Sequence, residues 1–124
     1  MKLRILGNSV RLRVSQAELS QIRSEGVVRQ QVEFGPGRRL AYELRTVPGG
    51  QVRASFDDAC LCVSLPRTVV ERWQEPDEVS IRGEQGLPGG ARLTILVEKD
   101  FQCLVPREGE DQSGLFPNPQ ESES

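Results

Sequence analysis

Apolar and polar residues alternate through most of the chain, and the alternation is broken twice by a short helical pattern. Leu3 and Ile5 alternate with Lys2 and Arg4, which predicts a half-buried strand over residues 2–6. Gly7-Asn8 makes a turn, and Val10, Leu12 and Val14 alternate with Arg11 and Arg13 in a second strand. Ser15-Gln16-Ala17-Glu18 then reads as a capping box: the Ser15 hydroxyl accepts from the third helical N–H and Glu18 reaches back. Leu19 and Ile22 supply the apolar stripe of a short helix, and Gly26 stops it. Strands over Val28 to Phe34 and Leu40 to Val47 follow, joined by the Gly35-Pro36-Gly37 turn, and Pro48-Gly49-Gly50 closes this half.

The same order then recurs. Val52, Ala54 and Phe56 alternate ahead of an Asp57-Asp58 turn, and Leu61, Val63 and Leu65 lie on one face of a strand beginning at Cys60. Pro66 stands where the first half has Ser15, at or just before a helical turn, where its missing N–H costs little. Val69, Val70 and Trp73 form the second helical stripe, which ends at Pro76-Asp77. A strand starts at Val79-Ser80-Ile81, turns through Gly86 to Gly90, and returns as Leu93 to Val97, the most apolar strand of all. A spacing of 51 carries Val10, Leu12 and Val14 onto Leu61, Val63 and Leu65, and Leu19, Ile22 and Val28 onto Val70, Trp73 and Val79. Tyr42 and Leu44 fall on Leu93 and Ile95 at that same spacing. The expected fold is mostly β with two short helices, an α+β chain in which a duplicated β-β-α-β-β repeat closes a small pseudo-twofold barrel and removes most strand edges. Repeat one covers about residues 2–47 and repeat two about 51–104, in one domain over 1–104.

Residues 105–124 change character, being rich in Pro, Gly, Ser and acid, and the last five are expected to be disordered. Phe116, an aromatic inside this polar tail, is expected to dock back on the body. A chain of 124 residues suffices for one domain with a real core. No run is long and apolar enough for a membrane span, and the apolar stretch after Met1 is too short for a signal peptide. Three cysteines, Cys60, Cys62 and Cys103, with no export signal point to reduced thiols in a cytoplasm.

Histidine is absent, which excludes Ser-His and Cys-His nucleophile pairs. Three cysteines without histidine cannot make the usual structural zinc sites. No cofactor is expected, and a divalent cation here would be a hard ion held by carboxylates. The net charge is −2, but residues 1–55 hold ten Lys and Arg against four Asp and Glu, and residues 56–124 hold six against fourteen. The first half thus suits an anionic partner, or else the halves neutralise each other. Arg4, Arg11 and Arg13 form a row of guanidinium groups opposite the apolar strand face, fit for phosphate contacts. Glu98 and Asp100 share a strand face and, with Glu110 and Asp111 returning from the tail, make a candidate hard-cation site. The plainer reading is a charged strand end ion-paired to arginines. Cys60 and Cys62, two apart on a strand, are poorly placed to form a disulfide and read as half-buried small residues.

Two resemblances follow. Leu65-Pro66-Arg67-Thr68-Val69-Val70-Glu71-Arg72-Trp73 with Asp77-Glu78-Val79-Ser80-Ile81, and the Gly7-Asn8-Ser9 opening, resemble the transition-state-regulator and antitoxin (AbrB/MazE-like) swapped-hairpin barrels. That resemblance implies a barrel built from two copies and a duplex-DNA partner. It departs at Ser15, where the class has proline, and at Gly26-Val27-Val28, which lacks the acidic pair. The chain is also similar, along nearly its full length, to an uncharacterised family of small bacterial proteins. The shared stretches are Leu3 to Leu12 and Val97 to Leu104, then Arg107, Glu110-Asp111 and Phe116-Pro117-Asn118-Pro119. The functional expectation is a non-catalytic, cytoplasmic binding or regulatory module. DNA regulation through Arg4, Arg11 and Arg13, a protein partner held by the acidic tail, and a carboxylate-bound metal hydrolase are the alternatives.

Overall fold

The computed structural model describes residues 1–100. Cys103, Glu110, Asp111, Phe116 and the whole 105–124 tail, with the expectations attached to them, lie outside the described residues. The elements run β1 (Lys2–Leu6), β2 (Ser9–Val14), α1 (Gln16–Glu25), β3 (Val27–Gly35), β4 (Arg38–Val47), β5 (Arg53–Asp57), β6 (Cys60–Pro66), α2 (Arg67–Trp73), β7 (Ser80–Gly86) and β8 (Arg92–Lys99). Each half therefore follows the order β-β-α-β-β. The helix signals act as the local chemistry requires. Ser15 accepts from the Glu18 N–H at 3.2 Å, the Glu18 carboxylate accepts from the Ser15 N–H at 2.9 Å, and Gly26 ends α1 at φ 82°. There a side chain beyond glycine pays a steric penalty. α2 starts at Pro66 without a side-chain cap.

The strands form two four-stranded sheets, ordered β1-β2-β8-β7 and β3-β4-β6-β5. This corrects the expectation of a closed barrel: among the described residues no strand ladder joins one sheet to the other. The reason lies in the pairing. Each sheet takes one hairpin from each half and fuses the two along their inner strands, β2 parallel to β8 and β4 parallel to β6. Among the described residues the outer strands remain edges. One junction is nevertheless stitched. The Gln85 side chain on β7 accepts from the Ala54 N–H at 2.9 Å and donates to the Ala54 carbonyl at 3.1 Å, so an amide side chain stands in for a strand. Val52 packs against Gly83 beside it, where a Cβ would lie 2.8 Å from the valine methyl.

The two sheets clasp one core. Leu12, Val14, Ile95 and Val97 come from one sheet and Leu44, Val63 and Leu65 from the other. Ile22, Val70 and Trp73 of the helices close one end. In both sheets the hairpin turns lie at the opposite end, because each parallel pair runs from its turns toward the helices.

The registers revise the 51-residue spacing. Val10 lies beside Ile95, and Leu61, 51 positions after Val10, lies beside Tyr42. Tyr42 and Ile95, 53 positions apart, thus pair with residues only 51 positions apart, and Val28 and Ile81, also 53 apart, pair with Leu44 and Val97. Burial agrees: Val28 and Ile81 are in the core, while Val79 is 44% exposed. The change falls between the start of α2 and β7: α2 is three residues shorter than α1, and its connection to β7, residues 74–79 with Pro76, is five residues longer than the single Gly26, a net gain of two.

Candidate functional site

The outward face of the β1-β2-β8-β7 sheet gathers the basic residues. Strand alternation turns Leu3, Val10, Leu12 and Val97 inward, so Lys2, Arg4, Arg11, Arg13 and Arg82 turn outward. The β1–β2 register sets Arg4 directly opposite Arg11, and Lys2 opposite Arg13. Leu96 continues the Arg4–Arg11 row across β8, and Arg82 of β7 completes it. Like charges directly opposite on a sheet cost stability, so this face is held at some expense.

Acidic residues relieve part of that cost. The Glu98 carboxylate takes Arg13 Nε at 3.0 Å and Arg11 Nε at 4.0 Å. Asp100, one residue past β8, pairs with Lys2 at 3.0 Å. Glu84 on β7 meets Arg92 at 3.3 Å and Arg82 at 3.9 Å. Arg4 has no ion pair among the described residues. The face thus carries six cations, Lys2, Arg4, Arg11, Arg13, Arg82 and Arg92, around three carboxylates. The structure brings Arg4, Arg11 and Arg13 together. It turns Glu98 and Asp100 toward cations of the same face, and no group of three or more potential metal-ligating residues occurs among the described residues.

The other sheet holds a constellation that sequence reasoning missed. On the outward face of β3-β4-β6-β5, Glu43 is only 6% exposed. Arg29 Nη1 donates to one carboxylate oxygen at 3.1 Å, and Arg45 Nε donates to the other at 2.8 Å. The Cys62 thiol donates to that second oxygen at 3.6 Å. Burial alone would push the Glu43 carboxyl up, but hydrogen bonds from Arg45 and Arg29 outweigh it and hold the group below the usual carboxylate range. Burial, reinforced by the Glu43 charge, pushes the Cys62 thiol up, which makes it a poor nucleophile. Cys60 and Cys62 are half-buried free thiols on this face. The available signal was that Glu43 and Arg45 share a strand face. The register mate Arg29 became visible only with the fold.

Two clefts lie at the helical end among the described residues. One, of about 720 Å³, opens between Ile22, Gly26, Val47 and Arg67; the other, about 700 Å³, between Val14, Leu19, Pro76 and Lys99. Neither contains the basic row or the Glu43 cluster. No helix among the described residues is long and apolar enough to cross a membrane.

No curated protein and no solved structure matches the chain. A family model does match, over residues 1–120, and the chain accordingly belongs to the family of unknown function DUF7009.

Proposed function

We propose that the protein is a non-catalytic binding module that presents the outward face of β1-β2-β8-β7 to a polyanion, with duplex DNA as the partner. The observation that carries this reading is the Arg4–Arg11 opposition. Two guanidinium groups face each other across a hairpin, and Arg4 is left without a counter-charge among the described residues. Such a pair costs stability in the isolated protein and gains a role when phosphates lie between its members. A cytoplasmic setting fits the free thiols Cys60 and Cys62.

The architecture supports the same reading. We infer that the halves are copies of one β-β-α-β-β unit and that each lends one hairpin to each sheet. In the swapped-hairpin regulators that the sequence resembles, two chains share this work. Here one chain supplies both copies, and a net gain of two residues between the start of α2 and β7 accounts for the change of spacing from 51 to 53. A metal-hydrolase reading would require Glu98 and Asp100 to release Arg11, Arg13 and Lys2 first.

The test is a titration of fluorescent duplex DNA at two salt concentrations. Binding should weaken steeply with salt, and Arg4→Ala and Arg11→Ala should each lower the salt slope by about one. Glu98→Gln should act in the opposite sense. It frees Arg11 and Arg13 and should tighten binding several-fold. No binding at ~50 mM salt, or a Glu98→Gln protein that binds more weakly, would remove the proposal.

A further inference from the structure

The sheet edges are not treated alike. β5 and β7 are edges of different sheets, yet Gln85 ties them together through the Ala54 backbone. At the corresponding place in the first half, 53 positions earlier, stands Val32, which has no amide to bridge with. Among the described residues β3 is therefore a nine-residue edge without that stitch. Its edge protection is partial: it contains no proline and no lysine, its charges are of opposite sign, Arg29 and Glu33, and its one irregularity falls at its far end, between Glu33 and Gly35. Large apolar groups accompany this edge. Val32 is 42% exposed and Phe34 is 72% exposed.

We propose that two copies of the chain join edge to edge through β3, antiparallel and centred on Gln31, so that two four-stranded sheets become one of eight strands. Charge selects both the occupant and the register. On the outward face β3 presents Arg29, Gln31 and Glu33 in turn. Centring on Gln31 sets Arg29 of each copy opposite Glu33 of the other, twice, as a self-complementary twofold contact requires. Centring on Glu33 would oppose two carboxylates, and centring on Arg29 two guanidinium groups. Glu33 has no ion pair among the described residues. Arg29 spends Nη1 on Glu43 and Cys60, is half exposed, and keeps further N–H groups for a second carboxylate. On the inward face the same register places the exposed Val32 beside Gln30 of the second copy.

Sedimentation velocity of the full chain from ~1 to ~100 µM tests this; a dissociation constant in the micromolar range is expected for an interface of this limited extent. Glu33→Arg faces Arg29 of the second copy with like charge and should weaken association about tenfold or more. Arg29→Glu should do the same, and an equimolar mixture of the two variants should associate again, because the opposed charges then differ in sign. Glu33 is exposed, so its variant tests the contact without disturbing the fold. A wild-type chain that is monomeric throughout would overturn the proposal and leave the edge to a strand of another protein. Association that Glu33→Arg leaves unchanged would overturn it too.

Discussion

Glu43 shows how far one side chain's role depends on its neighbours across the sheet. Alone on a strand it would be an ordinary surface carboxylate; between Arg29 and Arg45 it is nearly buried and still charged. Both arginines are about half exposed, so the cluster contributes less than a fully buried network would. Glu43→Gln should therefore cost about 1–2 kcal/mol at neutral pH by denaturant unfolding. Its folded pKa is depressed, so its contribution is present above the ordinary carboxylate value of about 4.3 and fades as pH falls through the lower folded value. Glu18 behaves in the same sense: burial raises its pKa, but hydrogen bonds from the Met1 ammonium and Ser15 outweigh that effect. Wild-type stability should fall steeply below about pH 4.3, and the difference between wild type and Glu43→Gln should shrink there. A gap that persists unchanged into acid would assign the loss to packing rather than charge.

Elements of this fold were legible wherever a short-range rule governs them. Ser15 and Glu18 announce α1, Gly26 its end, and the paired turns their hairpins, because each depends on residues within a few positions. What was not legible depends on long-range registration. Val79 and Ile81 are both apolar and both on plausible strand positions; only the pairing with β8 decides that Ile81 enters the core. Glu43 was missed for the same reason, since Arg29 reaches it only through the β3–β4 register. The separation into two sheets was hidden as well, because an alternating strand looks the same beside a ladder partner and beside an open edge. The Gln85 stitch lies at that level. Gln85→Leu leaves the Ala54 N–H and carbonyl without those partners at a half-buried junction and should cost about 1–3 kcal/mol. Hydrogen exchange gives the sharper readout: the Ala54 amide should lose its protection, while amides of the β2–β8 ladder keep theirs. An unchanged Ala54 rate would mean that another group protects it.

At the scale of the whole molecule, charge and connectivity divide the labour between the two sheets. One outward face carries six cations around three carboxylates and the other sets two arginines on the single Glu43 carboxylate, so positive charge is in excess at both sites and larger on the first. The inner ladders pair residues as far apart as Ser9 and Thr94, and contacts so distant along the chain make for slow folding.

The exchange of hairpins has a further consequence for the backbone itself. A single cut at Gly49-Gly50, in the exposed turn between the halves, severs neither sheet, because both are sewn from pieces on either side of the cut. The two fragments would be linked like a pair of clasped hands. A protein nicked there should elute as one species and come apart only under denaturant. Fragments made separately should be poor folders alone and recover the native spectrum on mixing. Continuity of the chain would then serve the order of assembly, and its stability would be that of a two-piece object.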